Sequence, residues 1–441
     1  MKKFLVLTLA ILMVLLTACV AGNDTEGTTK ASDNTTGTLI TTNAPSTTEK
    51  PQTTVNEDTT EAPEDTTVMP DDTTAIIEDQ KIEISNTQDL LAFMNAPDLG
   101  GDYILTSDIE FNDITSVSTW SNDVAPTNVW TPVGSATAPF YGTFDGQGHS
   151  INGLYVKVEK YAGFFGCICN ATIENIVIGE GYISATGAVA GGISAYYFGF
   201  CDVIGCVNYA TITATSYLGG ILGKYTESAG NDVKVELCVN RGNIIGTLTT
   251  SAGYVGGITG TCIGMSIDKC ANFGDVSIGV GVSTKGAIAG GIAGLMGSSQ
   301  GYSDSITNCY NVGTITATQS EGNAAIGGIV GRMNDSLGTV SNCYNLGKIC
   351  VGGSSLLMTA YVAAENSTHN DYTNNLYNSG AMVLIGSDTN VTPAFTEHGL
   401  KGQVVTGTGA VANMEFDSTI WIDTASGTPI LKDINVIYQE Q

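Results

Sequence analysis

The stretch Gly290-Gly291-Ile292-Ala293-Gly294, followed by Ile306-Thr307-Asn308-Cys309-Tyr310-Asn311-Val312-Gly313, decides the fold because the chain repeats it. A Gly-Gly-Ile element and a Cys-x-Asn element recur in close copies that begin at Gly219, Gly256 and Gly327, and in a looser one at Gly191. Repeats of this length are typical of solenoids and propellers, in which each unit stacks on the next. One cysteine recurs in each copy, and the spacing between these cysteines gives the period. The steps are 32, 32, 39 and 34 residues along Cys206, Cys238, Cys270, Cys309 and Cys343.

Each unit offers three short β segments separated by Gly and Asn, for example Ala287–Ala293, Ile306–Tyr310 and Thr314–Ala317. A propeller blade needs four strands and usually a signature Trp, and the repeats contain no Trp. The pattern therefore predicts an all-β fold, a right-handed parallel β-helix in which each unit forms one three-sided coil. Residues at one repeat position would then stack in ladders along the helix axis.

One predicted ladder is made of asparagines. Asn tolerates left-handed backbone at a corner, and its amide can bond to the copies above and below. We expect a structural staple at a corner of the coil, and the alternative is a polar binding stripe. The ladder comprises Asn208, Asn240, Asn272, Asn311 and Asn345, with Asn378 as a degenerate sixth member.

A second predicted ladder contains the five repeat cysteines. Structural zinc sites need CxxC-type pairs or nearby His, and the three histidines lie outside these motifs. Disulfides form in exported proteins, but stacked side chains project in parallel and suit a bridge poorly. We expect buried free thiols that act as small apolar side chains, with no metal and no cofactor.

The composition excludes some partners. The chain has 16 Lys and Arg against 43 Asp and Glu, and its net charge is −27. A nucleic-acid partner is excluded on this charge. The only arginines are Arg241 and Arg332, so recognition of acidic polysaccharides by arginine clusters is disfavoured.

The N-terminus is predicted to export and anchor the protein. Residues 1–19 form a signal segment with Lys2 and Lys3 before an apolar run, and they end in Leu16-Thr17-Ala18-Cys19. This ending resembles a bacterial lipobox, which implies cleavage before Cys19, lipid on Cys19 and a membrane partner through that lipid. The alternative is an ordinary signal peptide with an incidental Cys. Residues 20–80 are acidic and Thr-rich, which predicts a disordered linker that acts as a stalk, either bare or O-glycosylated.

The remaining chain divides into three predicted parts. Residues 81–160 form an N-terminal cap and first coil, with a short helix capped by Asn86 or Thr87. Residues 161–385 form the repeats. Residues 386–441 form a C-terminal cap, in which an aromatic residue and a proline, Trp421 and Pro429, would cover the last coil.

Two further stretches suggest a family. The chain reads Trp130-Thr-Pro-Val-Gly134 and then Phe144-Asp-Gly-Gln-Gly-His149-Ser-Ile-Asn-Gly-Leu154. These stretches and the Gly-x-x-Gly copies resemble GLUG-motif proteins, which are bacterial surface proteins. Ile mostly replaces the Leu of the motif here. The copies are Gly163–Gly166, Gly220–Gly223, Gly257–Gly260, Gly291–Gly294 and Gly328–Gly331.

Catalytic signals are weak. No H-E-x-x-H is present, so the zinc peptidase activity of some GLUG-containing proteins does not carry over. Asp145 and His149 are interpreted as a turn residue and a packed or capping His. Asp108, Glu110 and Asp113 are interpreted as a solvated edge, with calcium as the alternative.

The candidate ligand-binding residues are four aromatics that would fill a variable connection between repeats. Exposed rings there could stack on sugars or contact a protein, and the alternative is that they cover the edge of a coil. These residues are Tyr196, Tyr197, Phe198 and Phe200.

We therefore expect a lipid-anchored, non-catalytic binding or adhesion protein on the bacterial cell surface, with a glycan or protein ligand. The alternatives are a carbohydrate-active β-helix enzyme and a purely structural spacer.

Overall fold

The repeats form five parallel sheets, I to V, that run along a β-helix, so the predicted fold class is confirmed. Each coil passes through the sheets in order and then starts the next coil. The predicted signal segment and linker lie outside the described residues. The computed structural model describes residues 81–225, 232–248, 252–280, 286–297, 304–319, 324–334, 338–353, 357–360, 362–365, 371–377, 382–385, 394–396, 400–403, 409–425, 427–434 and 438–439.

Sheets I and II each contain ten strands. The strands of sheet I are Ile82–Ile84, Asp102–Leu105, Thr143–Asp145, Thr172–Glu174, Phe200–Ile204, Asp232–Glu236, Met265–Asp268, Ser305–Thr307, Thr339–Ser341 and Asp371–Thr373. Those of sheet II are Ile109–Glu110, Ser150–Asn152, Val177–Ile178, Val207–Asn208, Val239–Asn240, Ala271–Asn272, Tyr310–Asn311, Tyr344–Asn345, Asn375–Tyr377 and Leu400–Gln403.

Sheets III, IV and V complete each coil. The strands of sheet III are Leu154–Val158, Gly181–Ala185, Thr211–Ala214, Ile244–Leu248, Val276–Val280, Ile315–Gln319, Ile349–Gly353 and Met382–Ile385. Those of sheet IV are Tyr161–Ala162, Val189–Gly191, Tyr217–Gly219, Gly253–Gly256, Ala287–Gly290, Ala324–Gly327, Leu357–Ala360 and Ala394–Thr396. Those of sheet V are Phe165–Cys169, Ser194–Phe198, Leu222–Tyr225, Thr259–Cys262, Ala293–Met296, Val330–Met333 and Ala363–Glu365.

The predicted count of three strands per coil is wrong, because the Gly-Gly pair makes a corner of its own. The segment expected to be one strand divides into Ala287–Gly290 of sheet IV and Ala293–Met296 of sheet V. A Cβ on Gly291 would lie 2.2 Å from the Gly328 carbonyl oxygen and 2.6 Å from Cγ of Asn311. Only glycine fits between the neighbouring coil and the asparagine ladder.

The asparagine ladder is a continuous buried amide stack against this corner. In each of the first four members Nδ2 donates to Oδ1 of the next, at 2.7–2.8 Å. Each Nδ2 also donates to the carbonyl two residues onward, as Asn272 does to Gly274 at 2.9 Å. All five side chains are fully buried, so the stack fixes the turn after each strand of sheet II and is closed to ligands.

The ladder asparagines do not supply the left-handed corner that the sequence analysis assigned to them. They lie in extended strands of sheet II, and Asn378 falls outside the described residues. In the sixth coil Tyr377 pairs with Asn345, and Asn375 takes the cysteine position. The left-handed residue is the one before each cysteine position. These residues are Asn175, Gly205, Leu237, Lys269, Asn308, Asn342 and Asn374.

The cysteine ladder lies in the apolar core. Its five thiols are fully buried, and all ten cysteines that the structure describes are free. Each thiol bonds to a backbone carbonyl two residues earlier, as Cys238 does to Glu236 at 3.3 Å. Burial raises the pKa of the thiols of Cys206, Cys238 and Cys309 well above the ordinary value, which keeps them protonated.

We expect the ladder thiols to be unreactive in the folded protein. A thiol-specific alkylating reagent at pH 8, read by peptide mass spectrometry, should leave all five unmodified, because their sulfur atoms are fully buried and the reagent cannot reach them. Denaturant without reductant should make all five reactive. Labelling that stays low after unfolding would show disulfides instead of free thiols.

A helix and an aromatic cluster cap the N-terminal end. The helix Thr87–Asn95 begins at Asn86, whose side chain accepts the N–H groups of Gln88 and Asp89. Its buried face presents Leu90 and Phe93, while Leu91 and Met94 are only partly buried. The 3₁₀ helix Ile114–Thr119 follows. The ring of Phe93 lies within 6.4 Å of six other rings, those of Tyr103, Trp130, Phe140, Phe144, Phe164 and Phe165.

The predicted C-terminal cap is wrong in its boundary and its position. Strands Ala394–Thr396 and Leu400–Gln403 still belong to sheets IV and II, so the coils extend past residue 385. The helix Ala410–Asn413 and the antiparallel strands Trp421–Ile422 and Ile430–Leu431 then pack on the outer side of sheet II. We call the described residues of 409–439 the strap.

The strap covers a row of apolar side chains that point out of sheet II. The Trp421 ring lies 5.8 Å from that of Tyr310 and 5.6 Å from that of Tyr344. Further back along the helix, Arg241 Nε donates to the Tyr438 carbonyl at 2.9 Å. The strap therefore lies along the side of the β-helix. No helix in the described part of the chain is long and apolar enough to cross a membrane.

Candidate functional site

The four candidate aromatics lie on two strands, so their predicted placement in a variable connection is wrong. Tyr196, Tyr197 and Phe198 end a strand of sheet V, and Phe200 begins the next strand of sheet I. Gly199, with a φ of 75°, makes the corner in one residue. Side chains on either side of this corner consequently point in different directions.

Only one of the four aromatics is well exposed. Tyr197 is fully buried and its hydroxyl donates to the Thr261 carbonyl at 2.6 Å, so it is a core residue and not part of a surface site. Tyr196 is half-buried, with its ring 5.1 Å from that of Tyr161, and Phe198 is half-buried beside it. Phe200 exposes 62% of its surface.

Phe200 lines an open groove on the outer face of sheet I. The volume of the groove is about 690 Å³. The strands set the lining by alternation, because Cys201, Val203, Val233 and Val235 point into the core and the residues between them point out. We call this the Phe200 groove, and its outward-facing lining is Asn170, Thr172, Phe200, Asp202, Asp232, Lys234 and Ser266.

The groove combines an apolar ring with polar groups from four successive coils. Phe200 pairs with Asp232, and Asp202 pairs with Lys234. The Phe200 N–H donates to Oδ1 of Asn170 at 2.9 Å, which fixes the start of the strand. The exposed ring can stack on a flat apolar surface, and the carboxylates can accept hydrogen bonds from hydroxyl groups.

The two carboxylates of the groove come from adjacent coils. Asp202 and Asp232 are offset by two residues along paired strands. Strand geometry puts their backbones roughly 8 Å apart. Lys234 is ion-paired with Glu236, and the hydrogen bond from Lys234 lowers the pKa of the Glu236 carboxyl.

A second exposed ring stands at the same corner of the helix. Tyr141 exposes 58% of its surface and lies two residues before Thr143. Thr143 pairs with Thr172, which pairs in turn with Asp202, so Tyr141 stands two coils before Phe200. The face of sheet I thus carries two exposed aromatic rings along the axis.

The acids and the histidine near the N-terminal cap form no catalytic group. Asp145 accepts the N–H of Gln147 and so fixes a turn. Nδ1 of His149 lies 3.5 Å from Oδ1 of Asp108, which also accepts the N–H of Ser150. The hydrogen bond from that N–H lowers the pKa of Asp108.

The acids suggested as a calcium site each make a hydrogen bond to a different part of the chain. Glu110 accepts from Asn152, and Asp113 caps the 3₁₀ helix. Within the described residues no three His, Cys, Asp or Glu side chains are grouped as a metal site.

The sequence analysis missed Asp202, Asp232 and Lys234. Their signal was available, because Asp232-Val-Lys-Val-Glu236 alternates polar and apolar residues, and Asp202 lies between the apolar Cys201 and Val203 just before a cysteine motif. That alternation predicts outward positions on one sheet. What it does not give is the register that brings these residues into one groove.

Comparison with known proteins supports the fold and gives no family. No family model and no curated protein matches the chain. A crystal structure described as "a putative immunoglobulin A1 protease from Bacteroides ovatus" is similar with a TM-score of 0.55 and 21% identity, over 80% of this chain and 93% of that one. A structure named "IgA1 Protease" gives a TM-score of 0.44 and 16% identity over 66% of this chain and 21% of that one. The first likeness shows a shared fold at an identity too low to carry function.

Proposed function

We propose that the protein is a GLUG-type surface protein that binds carbohydrate through the Phe200 groove. The observation that carries the proposal is the exposed Phe200 ring beside Asn170, Asp202 and Asp232. Pyranose rings have an apolar face that stacks on an aromatic ring, and their hydroxyls donate to carboxylates and amides. The repeat β-helix would present this face away from the cell. The net charge of −27 favours a neutral ligand over an anionic one.

Replacing the ring should weaken binding. In a glycan array, Phe200→Ala should weaken binding at least tenfold, because stacking on an exposed ring contributes on the order of 1–2 kcal/mol or more. The matched control is Ile245→Ala, which removes another exposed apolar side chain from sheet III. Equal affinities of the two variants would contradict the proposed site.

A second candidate function is hydrolysis of the same ligand. It is favoured by Asp202 and Asp232, two outward-facing carboxylates from adjacent coils that line the same groove, because glycosidases use a pair of carboxyl groups. A reducing-sugar assay on the array ligand decides between the two functions. Release that is lost in Asp202→Asn and Asp232→Asn would establish the enzyme, whereas binding without release supports the binding protein.

We also propose that the protein is anchored to the bacterial surface through lipid on Cys19. The support is the Leu16-Thr17-Ala18-Cys19 sequence after an apolar segment. Cells fed a labelled fatty acid should incorporate it into the wild-type protein and not into Cys19→Ser. The variant should then leave the membrane fraction, because a covalent chain supplies most of the membrane affinity. Label retained in Cys19→Ser would contradict the anchor.

A further inference from the structure

The outer faces of sheets IV and V meet in a concave corner. The last glycine of the Gly-x-x-Gly motif permits this close approach, because a Cβ on Gly223 of sheet V would lie 2.7 Å from Cγ1 of Val189 in sheet IV. Side chains that point outward from the two sheets therefore contact each other. The ring of Tyr161 in sheet IV lies 5.1 Å from that of Tyr196 in sheet V.

Tyrosine rings line this corner in neighbouring coils. Tyr217 pairs with Tyr254 in sheet IV, and their rings stack with centroids 5.2 Å apart. Nζ of Lys224 in sheet V lies 4.4 Å from the centre of the Tyr217 ring. Beyond Tyr254 the floor of the corner is apolar, because Ile288 and Ala325 follow it in register and pack together. We call this surface the tyrosine cleft, and its side chains are Tyr161, Tyr196, Tyr217, Lys224, Tyr254, Ile288, Ala325 and Arg332.

Arg332 stands at the apolar end of the tyrosine cleft without a counter-ion. It pairs in sheet V with Leu295, which is 7% exposed. Nε of Arg332 is buried and has no hydrogen-bond partner among the described residues, and the guanidinium forms no ion pair with a described carboxylate. Burial raises the pKa of Tyr254, and the Arg332 charge opposes that shift, so the guanidinium lies near the Tyr254 hydroxyl. A partly buried, unpaired guanidinium points to an anionic ligand.

The charges of the cleft limit this ligand to a single negative charge. Lys224 is already held over the Tyr217 ring, which leaves Arg332 as the unpaired cation. One guanidinium matches one carboxylate, whereas a polyanion would bring further charges to a chain whose net charge is −27.

The backbone of the cleft favours a sugar over a peptide. The strands Gly253–Gly256 and Val330–Met333 are each hydrogen-bonded to a neighbouring strand on both sides. An extended peptide therefore finds no free sheet edge with which to pair. A pyranose needs no such edge, because its apolar face stacks on an aromatic ring.

We propose that the tyrosine cleft binds a sugar acid, a pyranose that carries one carboxylate. The carboxylate accepts hydrogen bonds from the Nη groups of Arg332 and from the Tyr254 hydroxyl, and the sugar ring lies along the tyrosine rings. This site lies on sheets IV and V, whereas the Phe200 groove lies on sheet I. It is therefore a second binding site that does not depend on the proposed function of the groove.

The test uses glucuronate as the probe and the two arginines of the chain as reporters. Selective ¹⁵N labelling of arginine gives one Nε–H signal each for Arg241 and Arg332. Glucuronate should shift the Arg332 signal and leave that of Arg241, whose Nε is bonded to the Tyr438 carbonyl, unchanged. Glucose, which lacks the carboxylate, should shift neither signal at the same concentration. A glucuronate titration that leaves the Arg332 signal in place would overturn the proposal.

Variants locate the binding energy. Arg332→Gln should weaken glucuronate binding at least tenfold in saturation-transfer NMR, because it removes charge-assisted hydrogen bonds. The matched control is Lys348→Gln, which removes the same charge from an exposed position between sheets II and III and should leave the affinity unchanged. Phe200→Ala should also leave it unchanged, which separates this site from the Phe200 groove. Equal affinities of Arg332→Gln and Lys348→Gln, or tighter binding of N-acetylphenylalanine than of glucuronate, would contradict a sugar-acid site.

Discussion

Replacing Asn272 by Ala should lower the free energy of unfolding by about 3 kcal/mol or more. Asn272 accepts from Asn240 and donates to Asn311, both at 2.7 Å, and all three side chains are fully buried. Removing the middle amide leaves a donor on Asn240 and an acceptor on Asn311 without partners and opens a void. Urea unfolding of the purified protein measures the loss.

Position in the stack and exposure provide the controls for this experiment. Asn345→Ala removes the last member of the five, so it interrupts one inter-amide bond instead of two and should cost less. Asn95→Ala changes an exposed helix residue and should stay within about 0.5 kcal/mol of the wild type. Equal losses at Asn272 and Asn95 would show that the stack adds nothing to stability.

Replacing Trp421 by Ala should detach the strap and cost about 3–5 kcal/mol. The indole is 1% exposed and packs on Tyr310, Tyr344 and Phe416.

Truncation after Gln403 should have a larger effect, because it uncovers the whole apolar row of sheet II. An apolar stripe of that length should drive self-association. Urea unfolding measures the loss of stability, and sedimentation measures the self-association of the truncated protein.

Trp421→Phe is the matched control for the strap. Nε1 of Trp421 is buried without a hydrogen-bond partner among the described residues, so losing this N–H removes an unsatisfied donor. The phenyl ring keeps most of the apolar contact. This variant should therefore cost far less than Trp421→Ala. A truncated protein that stays monomeric and equally stable would refute the structural role of the strap.

The solenoid and its ladders could be predicted because they depend on local repetition. A regular step between Cys238 and Cys270 is enough to stack equivalent residues. The number of strands per coil could not be predicted, because the corner at Gly291 depends on the space left by Asn311 in another strand. Leu237 and Lys269 carry no signal for the left-handed conformation that they adopt.

The strap and the groove depend on long-range contacts, and so the sequence analysis did not find them. Trp421 gives no sign that it packs on Tyr310 and Tyr344 instead of on the last coil. Phe200 was recognised as a candidate because it is aromatic, whereas its buried neighbour Tyr197 carried the same signal. Burial separates the two, and burial follows the alternation along each strand, because Tyr197 faces the core whereas Phe200 precedes the core residue Cys201 and faces outward.

The position of the strap along the side of the β-helix has a consequence for the rate of folding. The bond from Arg241 to the Tyr438 carbonyl joins residues 197 positions apart, whereas neighbouring coils are joined over a few tens of residues. Such a contact closes a long loop and should form last, after the coils exist to receive it. During synthesis the apolar row of sheet II would stay uncovered until residues 409–439 leave the ribosome. The strap therefore holds several coils together, and unfolding from the C-terminal end requires the strap to detach first.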